Sequence, residues 1–362
     1  MQRRDVVKKL GTGLGALGGA LAWGAPNIIA KPKRFRWRLV MVIPKTLPVW
    51  GSGVQRFAEN VRQMTDGALT IRVYGAGELV PAMGTLDAVK AGRVQMAHSA
   101  SYYWLGKIPS AVFFTSVPFG MDPVGMKAWL AYGGGQELWD EVYEPHGMLA
   151  FPAGNTGTQM GGWFKKEINS LKDFKGLKMR IPGLGGRVIA KAGGKPMLVP
   201  GGEIYTNLST GVIDATEWVG PYHDYVMGFY KAASHYYYPG WHEPGPVLEL
   251  MINRQEWNKL PAELQAVVRS CATALDQQMY AEWLVKDAEY LEKIRNETKV
   301  KVLPYPDDVL KAFKQYAQEA QQELVAKDKL GQKVLASFTQ FQRTYQAHQA
   351  VTSRAYNKAQ NL

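Results

Sequence analysis

Cysteine is nearly absent from this chain. Cys271 is the one thiol in 362 residues, so no internal disulfide can form. It falls in an apolar helical run with Ala266, Val267, Val268 and Leu275, where a thiol acts as a small buried hydrophobe rather than a nucleophile. Histidine is scarce too: there are six, and His223, His235 and His242 lack the short spacing of a zinc site. No nucleophile elbow, phosphate-binding loop or Cys/His constellation occurs. Acidic residues are outnumbered, 31 against 43 Lys and Arg, for a formal charge of +12. Arg3, Arg4, Lys8 and Lys9 against Asp5 account for +3 of this, and the remaining +9 is spread along the chain. A basic surface attracts anions, but with no basic run and no aromatic–basic recognition motif nucleic acid is not an expected partner. No solenoid repeat is present. Beyond the first thirty residues no apolar run is long enough to span a bilayer.

What is present is ordinary globular material, 46% hydrophobic and 20% charged, long enough for two lobes. Residues 1–30 read as an address. Arg3-Arg4-Asp5-Val6-Val7-Lys8 is a charged n-region, and the Gly/Ala/Leu-rich stretch to Ala25 is an apolar h-region. The adjacent arginines resemble a twin-arginine export signal, and a general secretory signal is the alternative. Small residues offer cleavage sites after Ala25 or Ala30, and Pro26 with the glycines argues against a retained anchor. The expected location is periplasmic. Gly13, Gly15 and Gly18 match the dinucleotide fingerprint, but no strand precedes them and the segment is an export signal.

The rest of the chain is expected to be α/β, a two-lobed periplasmic-binding-protein-like fold with a cleft between lobes and a long helical C-terminal region. Alternation predicts strands over 35–41, 69–74 and 94–97, with helices over 54–64 and 86–89 between them. That β-α-β-α-β order implies a parallel sheet. Further strands are expected over 148–151, 178–181, 197–199, 213–219, 247–252 and 300–303, and helices to residue 192 and over 262–295. We assign 31–154 and about 245–285 to lobe I, and 155–244 and about 286–305 to lobe II. Residues 306–362 are helical, with an interrupted stripe of Phe313, Tyr316, Leu324, Val334, Phe338, Phe341 and Tyr345. This tail either wraps its own lobes or joins a second copy.

Polar groups gather near expected strand ends, where open α/β sheets bind ligands. They are His98 to Trp104, Asn155 to Gln159, Arg180, and Asp214 to Trp218 with Glu243. Arg180 ends an apolar strand. Its guanidinium fork suits a ligand carboxylate, and a salt bridge to a structural Asp or Glu is the equal alternative. Gln159, Glu217, Glu243 and the Trp218 carbonyl are oxygen donors for a hard cation, although their spacing equally fits ordinary polar loop residues. Glu217 and Glu243 are also a possible acid/base pair for a carbohydrate hydrolase, with Trp218 and Trp241 as sugar platforms.

Taken in order and separation, four segments resemble the solute receptors of tripartite ATP-independent periplasmic (TRAP) transporters. They are Tyr74-Gly75-Ala76-Gly77-Glu78-Leu79-Val80, the run from Ala88 to His98, Phe174-Lys175-Gly176-Leu177-Lys178-Met179-Arg180, and Leu208-Ser209-Thr210-Gly211-Val212-Ile213-Asp214-Ala215-Thr216-Glu217-Trp218. Gly157-Thr158-Gln159-Met160-Gly161-Gly162 and Glu217-Trp218-Val219-Gly220-Pro221 point to the subgroup that binds 2-oxo acids or lactate with a metal ion. The resemblance implies a receptor and not an enzyme. It implies Arg180 as the carboxylate clamp, Tyr102 and Asn155 as further polar contacts, and Gln159, Glu217, Trp218 and Glu243 as ligands of sodium or calcium. The cation would touch both the acid's carboxylate and its 2-oxo or 2-hydroxy oxygen, so Gln159 and Glu217 line the acid as well. Lactate-type relatives are expected to carry a shorter acidic residue where Glu217 stands, which leans the reading toward 2-oxo acids and sodium. Membrane permease subunits are the implied partners, with a homodimer through the C-terminal helices. Another organic acid, such as a dicarboxylate or sugar acid, is the alternative ligand, because fold does not fix ligand.

Overall fold

The computed structural model describes residues 33–360 and 362. The export segment expected over 1–30 lies outside the described residues. Strand β1 (Phe35–Met41) buries Trp37, Leu39 and Met41 and exposes Arg36 and Arg38. Helix α1 (Trp50–Met64) buries Trp50, Val54, Phe57 and Val61 along one stripe. Strand β2 (Leu69–Tyr74), helix α2 (Thr85–Lys90) and strand β3 (Met96–Ser99) follow. Both β2 and β3 pair with β1 in parallel, as the β-α-β-α-β order requires. Helices α3 (Pro123–Tyr132) and α4 (Gly135–Tyr143) were not expected from sequence. The first has a clear start signal, Asp122 accepting from the Gly125 N–H with Pro123 in the first turn.

The chain then runs β4 (Met148–Asn155), β5 (Gly162–Phe164), β6 (Lys178–Arg180), α5 (Gly183–Lys191), β7 (Lys195–Met197) and α6 (Ile204–Thr210). It continues with β8 (Ala215–Thr216), α7 (Pro221–Val226), β9 (His235–Tyr238), β10 (Val247–Asn253), α8 (Arg254–Asn258), α9 (Ala262–Glu297) and β11 (Lys301–Pro304). Helices α10 (Asp307–Val325), α11 (Lys329–Val351) and α12 (Ser353–Gln360) end it. The strands form two sheets: five in the order β2-β1-β3-β10-β4, and six in the order β11-β9-β5-β8-β6-β7. We use "lobe" for each sheet together with the helices packed on it. Both sheets are mixed, because β10 enters the first antiparallel to β3 and β4, and β5 runs against β8 and β9 in the second.

Several boundaries differ from expectation. The strand expected over 213–219 shrinks to β8, because Glu217 to Gly220 leave the ladder to build the site described below. The strand expected over 197–199 pairs two residues earlier, as β7. Strands β5 and β9 escaped the sequence reading: three residues carry no period, and His235–Tyr238 is aromatic throughout.

Helix α9 packs on β4 and α1 of the first lobe and on α7 of the second. The C-terminal helices lie mostly on their own chain. Phe313 of α10 sits 4.9 Å from Phe174 and 4.5 Å from Trp241 between ring centres, and Phe338 of α11 meets Trp129 edge-on at 5.2 Å. Helix α12 has no buried residue.

One core carboxyl makes stability depend on pH. Glu249 of β10 accepts from Trp104 Nε1 at 2.6 Å and from the Tyr143 hydroxyl at 2.7 Å. Burial outweighs these bonds and pushes its pKa from 4.5 up to about 7. The unfolded chain therefore gives up this proton first, and the folded state loses stability as pH rises through that window, by roughly 3 kcal/mol. Asp224 and Asp287, pushed by burial to about 7, act in the same direction. Glu249→Gln keeps an acceptor for Trp104 and removes one titration. It is expected to flatten part of the decline between pH 5 and pH 8 in urea melts. An unaltered slope in this variant would show that Glu249 is ionised in the fold.

Candidate ligand and cation site

The site forms where parallel neighbours β6 and β8 end at the same edge of the second sheet. Arg180 stands opposite Thr216 in the register, so Glu217 leaves β8 beside the guanidinium. Glu217 N donates to Arg180 O at 3.2 Å, which fixes the two backbones together. Arg180 and Glu217 are both buried, 1% and 0% exposed, and form an ion pair through Nη1 and Oε1. Arg180 Nη1 also donates to the Glu217 carbonyl at 3.0 Å and Nε to the Val199 carbonyl at 3.3 Å. Among the described residues Nη2 has only a 3.4 Å contact with the Tyr103 hydroxyl. Burial works against the guanidinium's charge, but Glu217 beside it wins and holds its pKa above the ordinary value. Both alternatives for Arg180 thus find support: it is ion-paired, and one edge of its fork keeps donor capacity.

Glu243 and His242 come from the turn between β9 and β10, and Gln159 from the loop between β4 and β5. Gly240 lets these loops meet, since a Cβ there would stand 2.1 Å from the Gln159 carbonyl oxygen. Gln159 N then donates to the Glu243 carbonyl at 3.2 Å. Glu217, His242 and Glu243 offer ligand atoms within 4.8 Å of one another. His242 Nε2 lies 3.2 Å from Glu217 Oε2. Burial, with the like charge of Glu217 behind it, pushes the Glu243 carboxyl well up. Such a pair is costly unless a proton or a cation neutralises it.

The donor set fits a cation on a second count. Gln159 Oε1, Glu243 Oε2 and His242 Nδ1 are buried and have no hydrogen-bond partner among the described residues, and Asn155 Nδ2, an amide donor suited to an anion rather than a cation, has none either. Buried polar atoms are nearly always satisfied, and Gln159, His242 and Glu243 sit on loops bonded to each other, so their orphans mark a ligand position. Of the residues expected at the site, Arg180, Glu217, Trp218, Glu243 and Gln159 come together. Trp218 lies under the Arg180 guanidinium, 5.2 Å from Cζ to the ring centre. Tyr102 is buried edge-on to Tyr103 at 4.7 Å, and its ionisation is opposed first by burial and then by Glu243. Asn155 Oδ1 accepts from Gly157 N at 2.9 Å, steadying the loop that carries Gln159. His242 and the Val199 carbonyl were missed, and nothing in their local sequence singles them out; Tyr103 lies in the polar stretch from His98 to Trp104, where nothing distinguished it from Tyr102. His98 belongs to the core. Burial lowers its pKa to about 4, so it is neutral, accepting from Trp50 and donating to the Ala153 carbonyl. A cavity of about 330 Å³ adjoins the site, walled by Tyr102, Tyr103 and Leu105 on one side and Ile181, Pro182 and Leu198 on the other.

The sequence profile described as bacterial extracellular solute-binding protein, family 7, matches residues 40–328. The chain belongs to this family. A family 7 chain is a solute receptor and not an enzyme, which removes the hydrolase reading of Glu217 and Glu243. A monocarboxylate 2-oxoacid-binding periplasmic protein of Nostoc sp. is 40% identical over 358 residues, 98% of each chain. Two crystal structures of TRAP periplasmic solute-binding proteins are similar throughout. One, from Pseudoalteromonas atlantica with bound sodium and pyruvate, is 43% identical with a TM-score of 0.88, over 90% of this chain and 99% of that one. The other, from Colwellia psychrerythraea with bound calcium and pyruvate, has the same identity and TM-score over 90% of this chain and 100% of that one.

Proposed function

We propose that this family 7 receptor captures a small 2-oxo monocarboxylate, such as pyruvate, together with sodium or calcium, and delivers it to the membrane subunits of a TRAP transporter. The observation that carries the reading is the buried Arg180 beside buried oxygens that lack partners. Arg180 Nη2 and the Tyr103 hydroxyl have hydrogen-bonding capacity for a carboxylate. Gln159, Glu217, Glu243 and the Trp218 carbonyl would hold the cation, and oxygen donors of this kind suit hard ions. The cation supplies charge neutralisation for the glutamates and a second grip on the acid's oxygens. Tyr102 and Asn155 would close the polar wall.

Residence in the periplasm, export through 1–30, and the lobe boundaries near 154, 245 and 286 belong to the same proposal. No helix among the described residues is long and apolar enough to cross a membrane. Pairing of two copies through the C-terminal helices is supported by the exposure of Val351 and Tyr356 at the chain's end.

Calorimetric titration of the mature, chelator-treated protein tests the reading. Pyruvate, 2-oxobutyrate, lactate, succinate and galacturonate are each added with sodium, with calcium, and with neither. Tight binding of the 2-oxo acids that needs a cation is the expected result. Binding of succinate or galacturonate alone would replace the proposed ligand, and cation-independent binding would remove the metal.

A further inference from the structure

We propose that the Pro48–Trp50 turn of the first lobe is a latch that closes on Trp218 and His223 of the second. Trp50 and His223 are then positioning residues for the ligand site, acting through Trp218. The inference rests on the site reading above but concerns residues outside it.

The Trp50 and Trp218 rings stack across the lobes, 6.1 Å between centres and 19° from parallel. Trp218 thereby contacts both Trp50 and the Arg180 guanidinium. Gly201 presses on its far edge so closely that a Cβ there would stand 2.3 Å from the ring. The Trp218 indole N–H donates to His223 Nδ1 at 3.3 Å, and His223 Nε2 donates to the Pro48 carbonyl at 2.7 Å. Two contacts therefore cross from one short turn of the first lobe to one short segment of the second. Trp50 is anchored in its own lobe: its indole N–H donates to His98 at 2.9 Å, and His98 donates to Ala153 at 2.8 Å, two residues before Asn155. A continuous chain of contacts thus links the strand carrying Asn155 to the Arg180 clamp.

The turn itself is unusual. Val49 has φ 56° and ψ −67°, and Trp50 N donates to the Pro48 carbonyl at 2.6 Å. This is the positive-φ γ-turn, a strained form, occupied by a buried β-branched residue. Strain of this kind persists only where the surroundings over-determine it, and it gathers at clamps and switches. Here it presents the Pro48 carbonyl to His223 and the Trp50 ring to Trp218 at once.

The expected cation ligands at 217 and 218 follow β8, those at 159 and 243 lie on the segments joining the two sheets, and the latch reaches one of the four, Trp218, through its ring and not its carbonyl, so cation binding alone does not need the latch. Retention of the acid does, because contacts made only with the lobes together favour the closed state.

The test uses the mature full chain with pyruvate and calcium. Trp50→Leu is expected to speed pyruvate release in stopped flow at least tenfold. Its association rate stays within about threefold of wild type, and calcium affinity without acid is unchanged. Trp50→Phe keeps a stacking ring and is expected to restore most of the retention. His223→Phe, which keeps its packing beside Trp283 at the site of a 4.2 Å ring contact, is expected to speed release as well. Should Trp50→Leu fail to fold, fluorotryptophan-labelled wild type serves, with the Trp50 signal assigned through Trp50→Phe. That signal is expected to shift on adding pyruvate with calcium, and not with calcium alone. Release at the wild-type rate in Trp50→Leu, or a Trp50 signal indifferent to pyruvate, overturns the latch. A wild type that takes no pyruvate overturns the ligand reading instead. The same fluorine measurement with succinate or lactate, whichever binds, then judges the latch.

Discussion

Arg180→Ala is expected to weaken pyruvate binding by about 2–5 kcal/mol, the usual cost of removing one partner from a desolvated charge pair. The same substitution leaves Glu217 buried without its ion-pair partner, which costs the fold a further ~3–5 kcal/mol. The two losses are separable. Arg180→Lys keeps the positive charge but has one ammonium where the guanidinium serves the Glu217 carboxylate and the Val199 carbonyl from two nitrogens and leaves a third for the proposed ligand. It is expected to recover much of the stability and little of the affinity. A third readout separates clamp from scaffold: deleting a fixed cation beside a cation site should strengthen calcium binding measured without acid. Calorimetry for pyruvate and calcium, with thermal melts, checks all three. Unchanged pyruvate affinity in a folded Arg180→Ala protein would leave Arg180 as a structural ion-pair partner.

Glu243→Gln is expected to weaken calcium binding by tenfold or more, about 1.4 kcal/mol or above, because one formal charge leaves the donor set. It is also expected to stabilise the cation-free protein. In that state burial and the nearby Glu217 carboxylate both disfavour ionised Glu243, and the neutral amide escapes both penalties. Wild type and variant should therefore cross over: the variant melts higher in chelator, and the wild type melts higher in excess calcium. At calcium a hundred times its dissociation constant, binding contributes about 2.7 kcal/mol to the wild type. Thermal melts with chelator and with calcium read this directly. Parallel curves with no crossing would place the cation elsewhere.

Much of the fold was legible in the chain because periodicity is local. The alternation in 35–41, the helical stripe through Val54, Phe57 and Val61, and the long helix after Pro261 each lie where the pattern put them. Elements of two or three residues carry no period, so β5 and β8 were missed or overdrawn. The antiparallel entry of β10 between β3 and β4 depends on residues about 100 to 150 positions apart, and no local signal encodes it.

The site divides in the same way. By itself the sequence determined the chemistry available: an arginine at the end of an apolar strand, glutamates at strand ends, and a family resemblance that named their roles. Only the tertiary structure decided which of these groups share one buried space. It placed Glu217 on Arg180, brought His242 to Glu217, left Gln159 and Glu243 with unpartnered oxygens, and turned His98 into the core. The physical reason is that charge, donor count and propensity belong to single residues. Desolvation and like-charge repulsion exist only between groups that folding has brought together.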